Sequence, residues 1–480
     1  MRRFTVYDSR TREVRLFAPL HPPRVGMYVC GLTPYAAAHV GHARTFVFFD
    51  VVARALRRWG YRLFYVQNVT NLDDKLIARA AEEGTDPLAL AERHFAEYRA
   101  AMEALGVTSV NYYPFATDYV PEIVAQVRVL VDRGFAYRAP DGSVYFSVAR
   151  FPKFGELSGQ NVAALRPGAR LELDADKRSP EDFVIWMAAT PGEPAWESPW
   201  GPGRPGWHVE DTAITGRLLG ARYDLHGGGI DLIFPHHEAE IALSESATGE
   251  APLVNYWMHG GALRLAGEKM SKSLGNVLPL SEALEAFGPG PVRLFLTNVQ
   301  YRGPLEFDRE RSLPEAREAY DRLRLPYDRL SALLAHAGPA GAGGEPPEEL
   351  AAQATSLVER LDTTLAADFD TRGAVALLFG WVRRLAEPGV ELDGLSSPAL
   401  ELLRSPFDWA REVLGLFAEG AAASGPDEAP GIEVALAARS RARGRGDFAE
   451  ADRIRTELAH RGIEVEDRSD GPRWRRVPVG

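Results

Sequence analysis

The chain has 480 residues, 45% hydrophobic and 25% charged, with a formal net charge of -11 and a single cysteine. That length exceeds one hydrophobic core and suits about three domains of roughly 150 residues, while the ordinary composition excludes a disordered or membrane-embedded chain. The acidic balance excludes a protein that simply coats nucleic acid, and the lone Cys30 excludes an intramolecular disulfide.

The opening MRRFTVYDSR has no apolar signal core, and no apolar run approaches the ~18 residues of a membrane span, so a cytoplasmic protein with no membrane partner is expected. Val25–Leu32 reads as an apolar strand, followed by a helical pattern over about Val40–Trp59 and a second strand at Tyr61–Val66. Such a unit belongs to a parallel α/β fold, which binds ligands at the carboxyl ends of its strands. At the helix start, PYAAAHVGHART places His39 and His42 three apart with Gly41 between them. Free backbone N–H groups, the positive end of the helix dipole and two imidazoles suit a nucleotide triphosphate. A pair that merely caps or packs fits the same pattern.

Residues of about 119–207 are mixed and rich in Pro and Gly, as an insertion between two halves of one nucleotide-binding fold would be. A second set of α/β elements runs from Tyr223 to about Phe295 and carries GEKMSKSLGN, with Lys269 and Lys272 in a Gly-bounded loop over 267–276. Two ammonium groups on such a loop can close over a polyphosphate, although a solvated surface loop has the same composition. From Leu313 the spacing is helical, broken by AGPAGAGGEPPEE at 337–349, which is expected to join two helices, and by an interdomain linker over 418–430. The last segment, 431–480, holds 11 Arg against 9 Asp and Glu, about +2 in a chain of -11. Its arginines alternate with Phe448 and Trp474, a pattern suited to phosphates and unstacked bases, while Arg439, Arg441 and Arg445 equally fit a solvated helix face.

HVGH after the first strand and KMSKS some 230 residues later, on one nucleotide-binding fold, resemble the paired signature of the class I aminoacyl-tRNA synthetases. Four further stretches, MYVCGLTPY, NVTNLDDK, PGWHVEDTA and DLHGGGIDLIFPHHEAE, resemble the cysteinyl-tRNA synthetases, and the likeness runs from the first strand to the last fifty residues. The resemblance implies a Rossmann-type parallel-sheet catalytic domain over 1–300 with its insertion, then a stem-contact region and helical bundle over 301–417. Beyond the linker it implies a small RNA-binding domain, an anticodon-binding module, at 431–480. It also implies L-cysteine, tRNA(Cys) and ATP with Mg2+ as substrates, one zinc ion per chain, and a monomer; no dedicated ligand set for the magnesium is visible.

By position, His39, His42, Lys269 and Lys272 would act in catalysis, with Gly41 and Lys272 at the nucleotide, Gly228 and Asp231 at the adenosine, Thr70 and Trp207 beside the amino acid, and His226 near its carboxylate or the zinc. The zinc ligands would be Cys30, Asp211, His236 and Glu240. Asp211 departs from the pattern, since family members commonly carry Cys there; it keeps the charge and is a competent zinc donor, and whether it touches the metal or stands behind it stays open. A ligase that hands cysteine to a small amine and a non-catalytic RNA-binding relative are alternatives. The terminal module opposes the first, and the intact HVGH and KMSKS oppose the second.

Overall fold

The computed structural model describes residues 1–160, 177–265, 268–269, 277–336, 343–417, 436, 439, 443, 448–460, 463–468 and 471–476. The chain divides into two compact units, Met1–Gly420 and Ala421–Gly480. The first opens with a hairpin of β1 (Thr5–Asp8) and β2 (Glu13–Leu16), followed by β3 (Arg24–Leu32), α1 (Val40–Arg58) and β4 (Arg62–Val69). Next come α2 (Asp74–Glu83), α3 (Pro87–Ala104) and α4 (Val120–Asp132). The region read as an insertion then forms an antiparallel sheet of β5 (Ala136–Arg138), β6 (Val144–Phe146), β7 (Phe183–Ala188) and β8 (Gly203–Pro205). The chain returns through α5 (Val209–Leu218), β9 (Tyr223–Gly229), α6 (Glu238–Thr248) and β10 (Val254–Gly260).

β10, β9, β3 and β4 pair in that order, all parallel. The β3 sequence RVGMYVCGL is nearly continuous in apolar residues because both faces of this sheet are covered. Met27 and Val29 enter the core shared with α1, and Tyr28 and Cys30 enter the core on the opposite face. β3 connects through α1 to β4 on one side, and β9 through α6 to β10 on the other. The order therefore reverses between β3 and β9, the place where such sheets open a crevice at the strands' carboxyl ends.

The second strand of the sequence reading extends three residues further than expected, to Val69. Its polar end is stabilised by a neighbouring extended segment: Gln67 N and Val69 N donate to the carbonyls of Tyr112 and Pro114 at 3.0 and 2.8 Å. Gln67 and Asn68 are thus buried strand residues.

β11 (Leu263–Leu265), β12 (Glu268–Lys269), α7 (Leu280–Phe287), α8 (Pro289–Thr297) and β13 (Leu305–Phe307) complete the α/β part of the larger unit. Helices α9 (Ser312–His336), α10 (Glu348–Leu365), α11 (Thr371–Leu385) and α12 (Ser397–Trp409) pack as a bundle. The expected joint at 337–349 falls between α9 and α10, and the expected linker at 418–430 lies outside the described residues. No described helix is long and apolar enough to cross a membrane. In the second unit α13 (Phe448–His460) packs on the hairpin of β14 (Ile463–Arg468) and β15 (Gly471–Arg476), around Leu436, Ile454, Leu458, Ile463 and Val465. Phe448 is exposed, whereas Arg439, read from sequence as exposed on a helix face, is buried. Arg441 and Arg445 lie outside the described residues.

One buried ion pair ties the sheet to the bundle. Asp50 of α1 accepts from Arg293 of α8, from Arg54 Nε at 2.7 Å and from the Thr108 and Ser109 amides at 3.2 Å, while Arg293 also donates to the Leu414 and Leu105 carbonyls at 2.5 and 3.0 Å. Burial alone would raise the Asp50 carboxyl; Arg54 and Arg293 reverse this and hold it well below the usual carboxylate range. Removing one partner strands a buried charge, at about 3–5 kcal/mol, whereas an apolar pair of similar volume avoids that cost. Asp50→Ala should therefore lower the unfolding free energy of the larger unit, measured by denaturant titration, by an amount of this order. Asp50→Leu combined with Arg293→Met should recover most of it, and equal losses in both proteins would contradict this account.

Candidate active site

The crevice between β3 and β9 gathers side chains from four elements. β3 supplies Cys30, the first turn of α5 supplies Glu210 and Asp211, and β9 ends at His226 and its glycines. A wide π-type turn over Ile233–His237 supplies His236 and His237, and the first turn of α6 supplies Glu240. The carboxylates sit in the first turns of their helices, where the positive dipole end favours an anion.

Cys30, Asp211, His236 and Glu240 each present one donor atom, and these atoms lie within 4.8 Å of one another. His236 Nε2 stands 2.8 Å from both Asp211 Oδ2 and Glu240 Oε1, its i+4 neighbour. Cys30 Sγ lies 3.4 Å from Asp211 Oδ2 and 3.5 Å from Glu240 Oε1. A tetrahedral ion with bonds of ~2.0–2.3 Å spaces its ligand atoms by roughly 3.3–3.7 Å, which the Cys30 distances already match, whereas the two His236 contacts are hydrogen bonds that an ion would open by about half an ångström. A second group, Cys30, His226, His237 and Glu240, shares two members with the first. His226 Nε2 is 3.3 Å from Cys30 Sγ and from Glu240 Oε2, and His237 Nε2 is 3.1 Å from Cys30 Sγ.

Each imidazole is fixed by its other nitrogen: His236 by His208 at 2.9 Å, His226 by the Tyr223 hydroxyl at 2.6 Å, and His237 by His259 at 2.8 Å, which in turn meets Ser9 Oγ at 2.8 Å. Burial, then the carboxylates of Glu240 and Asp211, push the Cys30 thiol well above its ordinary range. Burial also raises Glu240 against the opposing pull of His236. Burial would lower His236, but Glu240 and Asp211 outweigh it and favour the imidazolium. His208, His226 and His237 are lowered, chiefly by burial, and stay neutral. Without a cation the cluster limits its charge by holding protons; a divalent ion displaces them, so the donor set fits a metal.

The other residues of the sequence reading fall around this cluster. Thr70, after β4, donates its hydroxyl to buried Glu210. Trp207 is 43% exposed and stacks on the His236 ring at 4.3 Å and 25°. Gly228 lies in β9 against His237, and exposed Asp231 follows in the short helical turn Ile230–Leu232.

At the end of β3, His39 is the N-cap of α1 and His42 its third residue. His39 Nδ1 accepts from His42 N at 3.3 Å, His42 Nδ1 from His39 N at 3.4 Å, and the rings stack at 3.7 Å with Gly41 against them. The capping alternative left open by the sequence is thus part of the structure. Lys269 lies in β12 opposite Arg264, and Lys272 lies outside the described residues.

The chain matches the model of the class I (C) tRNA synthetase catalytic domain over residues 16–318 and that of the cysteinyl-tRNA ligase anticodon binding domain over residues 425–475. It is 44% identical to the cysteine-tRNA ligase of Alkalilimnicola ehrlichii over 98% of this chain and 99% of that protein. To the cysteine-tRNA ligase of Thioalkalivibrio sulfidiphilus it is 45% identical, with the same coverage. Among solved structures, Mycobacterium tuberculosis methionyl-tRNA synthetase bound by methionyl-adenylate is similar with a TM-score of 0.59 and 18% identity, over 89% of this chain and 96% of that one. That likeness is one of fold.

Residue reading missed Asn68, His208, Glu210, His237 and His259. Asn68, Glu210, His208 and His237 stand inside quoted motifs; what sequence lacked was the bulge that brings Asn68 to the site. From Val29 to Leu32 β3 advances three residues while its partner β4 advances two, from Gln67 to Val69, so Cys30 and Gly31 together face Asn68. The Asn68 carbonyl packs so closely on Gly31 that a Cβ there would overlap it. Gly31→Ala should therefore rotate Cys30 out of the cluster. Because Cys30 is the only thiol and is buried, its labelling by a thiol reagent in metal-free protein should become severalfold faster; an unchanged rate would mean that the bulge does not hold it.

Proposed function

The chain belongs to the class I cysteinyl-tRNA ligases, and on that premise we propose that it activates cysteine with ATP at the Cys30 cluster and transfers the cysteinyl group to tRNA(Cys), as a cytoplasmic monomer. The observation that carries this reading is a buried thiol, two carboxyl groups and one imidazole gathered at the carboxyl edge of a parallel sheet. We assign zinc to Cys30, Asp211, His236 and Glu240. The alternative set through His226 and His237 leaves Asp211 beside the metal site, neutralised by the His236 imidazolium alone, whereas the first set brings Asp211 and His236 onto the ion together. Bound there, zinc supplies a soft Lewis acid that favours a substrate thiolate over the hydroxyl of serine.

The chain's own side chains orient the reactants. His226, Thr70 and Trp207 surround the amino acid, with Trp207 covering the ring of His236 at the solvent side. In the first step the cysteine carboxylate attacks the α-phosphorus of ATP and pyrophosphate leaves with the electron pair of the broken P–O bond. In the second, a ribose hydroxyl at the tRNA 3' end attacks the carbonyl carbon of the mixed anhydride, the bond from that carbon to the phosphate oxygen breaks, and AMP departs while the hydroxyl proton passes to its phosphate or to water. Neither step needs a protein nucleophile; alignment and stabilisation of phosphate charge suffice. His39, His42 and Gly41 at the start of α1, with Lys269 and Lys272, take the triphosphate with its Mg2+. The opening beside Gly228 and Asp231 takes the adenosine. Cysteine-dependent ATP-pyrophosphate exchange and charging of tRNA(Cys) test the proposal together, and exchange driven equally by serine would overturn the metal-based selection.

Two further outcomes follow from the assignment. Asp211→Cys keeps one negative charge at the metal, so zinc should be retained with activity within roughly tenfold of the parent. Asp211→Ala opens that position, so zinc content and cysteine-over-serine selectivity should fall together; full zinc with unchanged selectivity would remove Asp211 from the metal. Deleting residues 431–480 should spare pyrophosphate exchange while sharply reducing tRNA charging. Equal loss of both in a folded deletion would contradict an RNA-reading module.

A further inference from the structure

A carboxylate serving as a metal ligand has two oxygens to account for, and when the group is buried the second becomes a chelating donor or an unsatisfied acceptor unless a hydrogen-bond donor meets it. Asp211 is 1% exposed. Its Oδ2 faces His236 Nε2 at 2.8 Å and Cys30 Sγ at 3.4 Å, while its Oδ1 accepts from Asn68 Nδ2 at 2.6 Å. The orientation of that amide is settled by its surroundings. Gly31 N–H, which can only donate, lies 2.6 Å from Asn68 Oδ1, so the carbonyl end faces Gly31 and the NH2 end faces Asp211. Asn68 is itself 2% exposed, held in β4 at the bulge, and its Nδ2 also reaches Thr70 Oγ1 at 3.4 Å.

We propose that Asn68 is the positioning residue that makes Asp211 a one-oxygen metal ligand: its amide ties Oδ1, leaves Oδ2 for the ion, and sets the spacing between the Cys30–Gly31 turn and the start of α5. The inference rests on the reading of Asp211 as a ligand. One side chain grips the segments that carry two of the four donors, so its loss frees both the carboxylate's rotation and the bulge. A thiolate at position 211 presents a single donor atom and offers the amide no second oxygen to hold. The need for Asn68 is therefore specific to the carboxylate, and this separates a positioning role from a merely structural one.

The test is a double-mutant cycle on the full chain, read by zinc affinity in chelator competition and by the absorption of the cobalt-substituted protein. In the parent background Asn68→Ala should weaken zinc binding by about ten- to hundred-fold, the range found when a group that orients a ligand is removed. In the Asp211→Cys background the same substitution should cost about tenfold less, because the bond to the carboxylate is already absent and only the contacts with Gly31 and Thr70 are lost. Asn68→Asp keeps the shape and the acceptor for Gly31 but sets oxygen against oxygen at Asp211. It should weaken zinc in the parent even if Asn68→Ala folds poorly. The cobalt spectrum separates the two levels of the argument. Asp211→Cys should strengthen the thiolate-to-cobalt charge-transfer band, and an unchanged band would overturn Asp211 as a ligand. A strengthened band together with equal costs of Asn68→Ala in both backgrounds, or with no cost of either Asn68 substitution in the parent, would overturn the role of Asn68 alone.

Discussion

Three acidic side chains and an imidazole share one buried volume at the carboxyl edge of the sheet, and electrostatics permits this only if protons or a cation neutralise them. Burial pushes the Cys30 thiol and the Glu240 carboxyl toward their protonated forms, while the same carboxylates draw a proton onto His236. A dication removes that need and leaves about one negative charge spread over four donors. The supporting structure follows from the requirement. Helix starts point at Asp211 and Glu240, the bulge in β3 turns Cys30 inward, and His208, Tyr223 and His259 fix the imidazoles from behind.

That arrangement separates choosing the amino acid from driving the chemistry. On the proposed reading, selection falls to the cluster on one face of β3. The stacked pair His39 and His42 lies beyond the end of the same strand, at the start of α1, where backbone N–H groups and dipole suit phosphate. Both therefore depend on the position of a single strand. β3 is locked between β4 and β9, and α1, which covers it, is tied through Asp50 and Arg293 to the segments that lead into the bundle. Cys30 lies on β3 and the stacked histidines start the helix that covers it, so the separation of these two groups is set by the packed sheet and helix.

Much of this was legible in the residues. The apolar run around Cys30, the helix after HVGH and the second α/β set are periodic and long, and the structure places elements there. The boundaries were less legible where long-range contacts decide them. Gln67 and Asn68 look like the polar end of a strand, yet partners near Tyr112 and across the bulge keep them inside it. Trp207 has the composition of core and is partly exposed, because the ring it covers, His236, is itself the floor of the crevice. Arg439 carries the opposite lesson: an arginine in a basic stretch reads as surface, and it is buried. A one-residue bulge leaves no periodic trace, so the meeting of Asn68 with Asp211, 143 positions apart, had no signal in the linear sequence.

The central claim is that one thiolate, one imidazole and two carboxylates of this chain hold zinc and leave the metal ready for a second sulfur from the substrate. X-ray absorption at the zinc edge of the purified protein, with and without cysteine, tests it most directly. The account predicts one sulfur at about 2.3 Å and the remaining nitrogen and oxygen neighbours at about 2.0–2.2 Å in the free protein, rising to two sulfurs when cysteine is added. A zinc site with no sulfur neighbour, or one whose sulfur count does not change with cysteine, would contradict it.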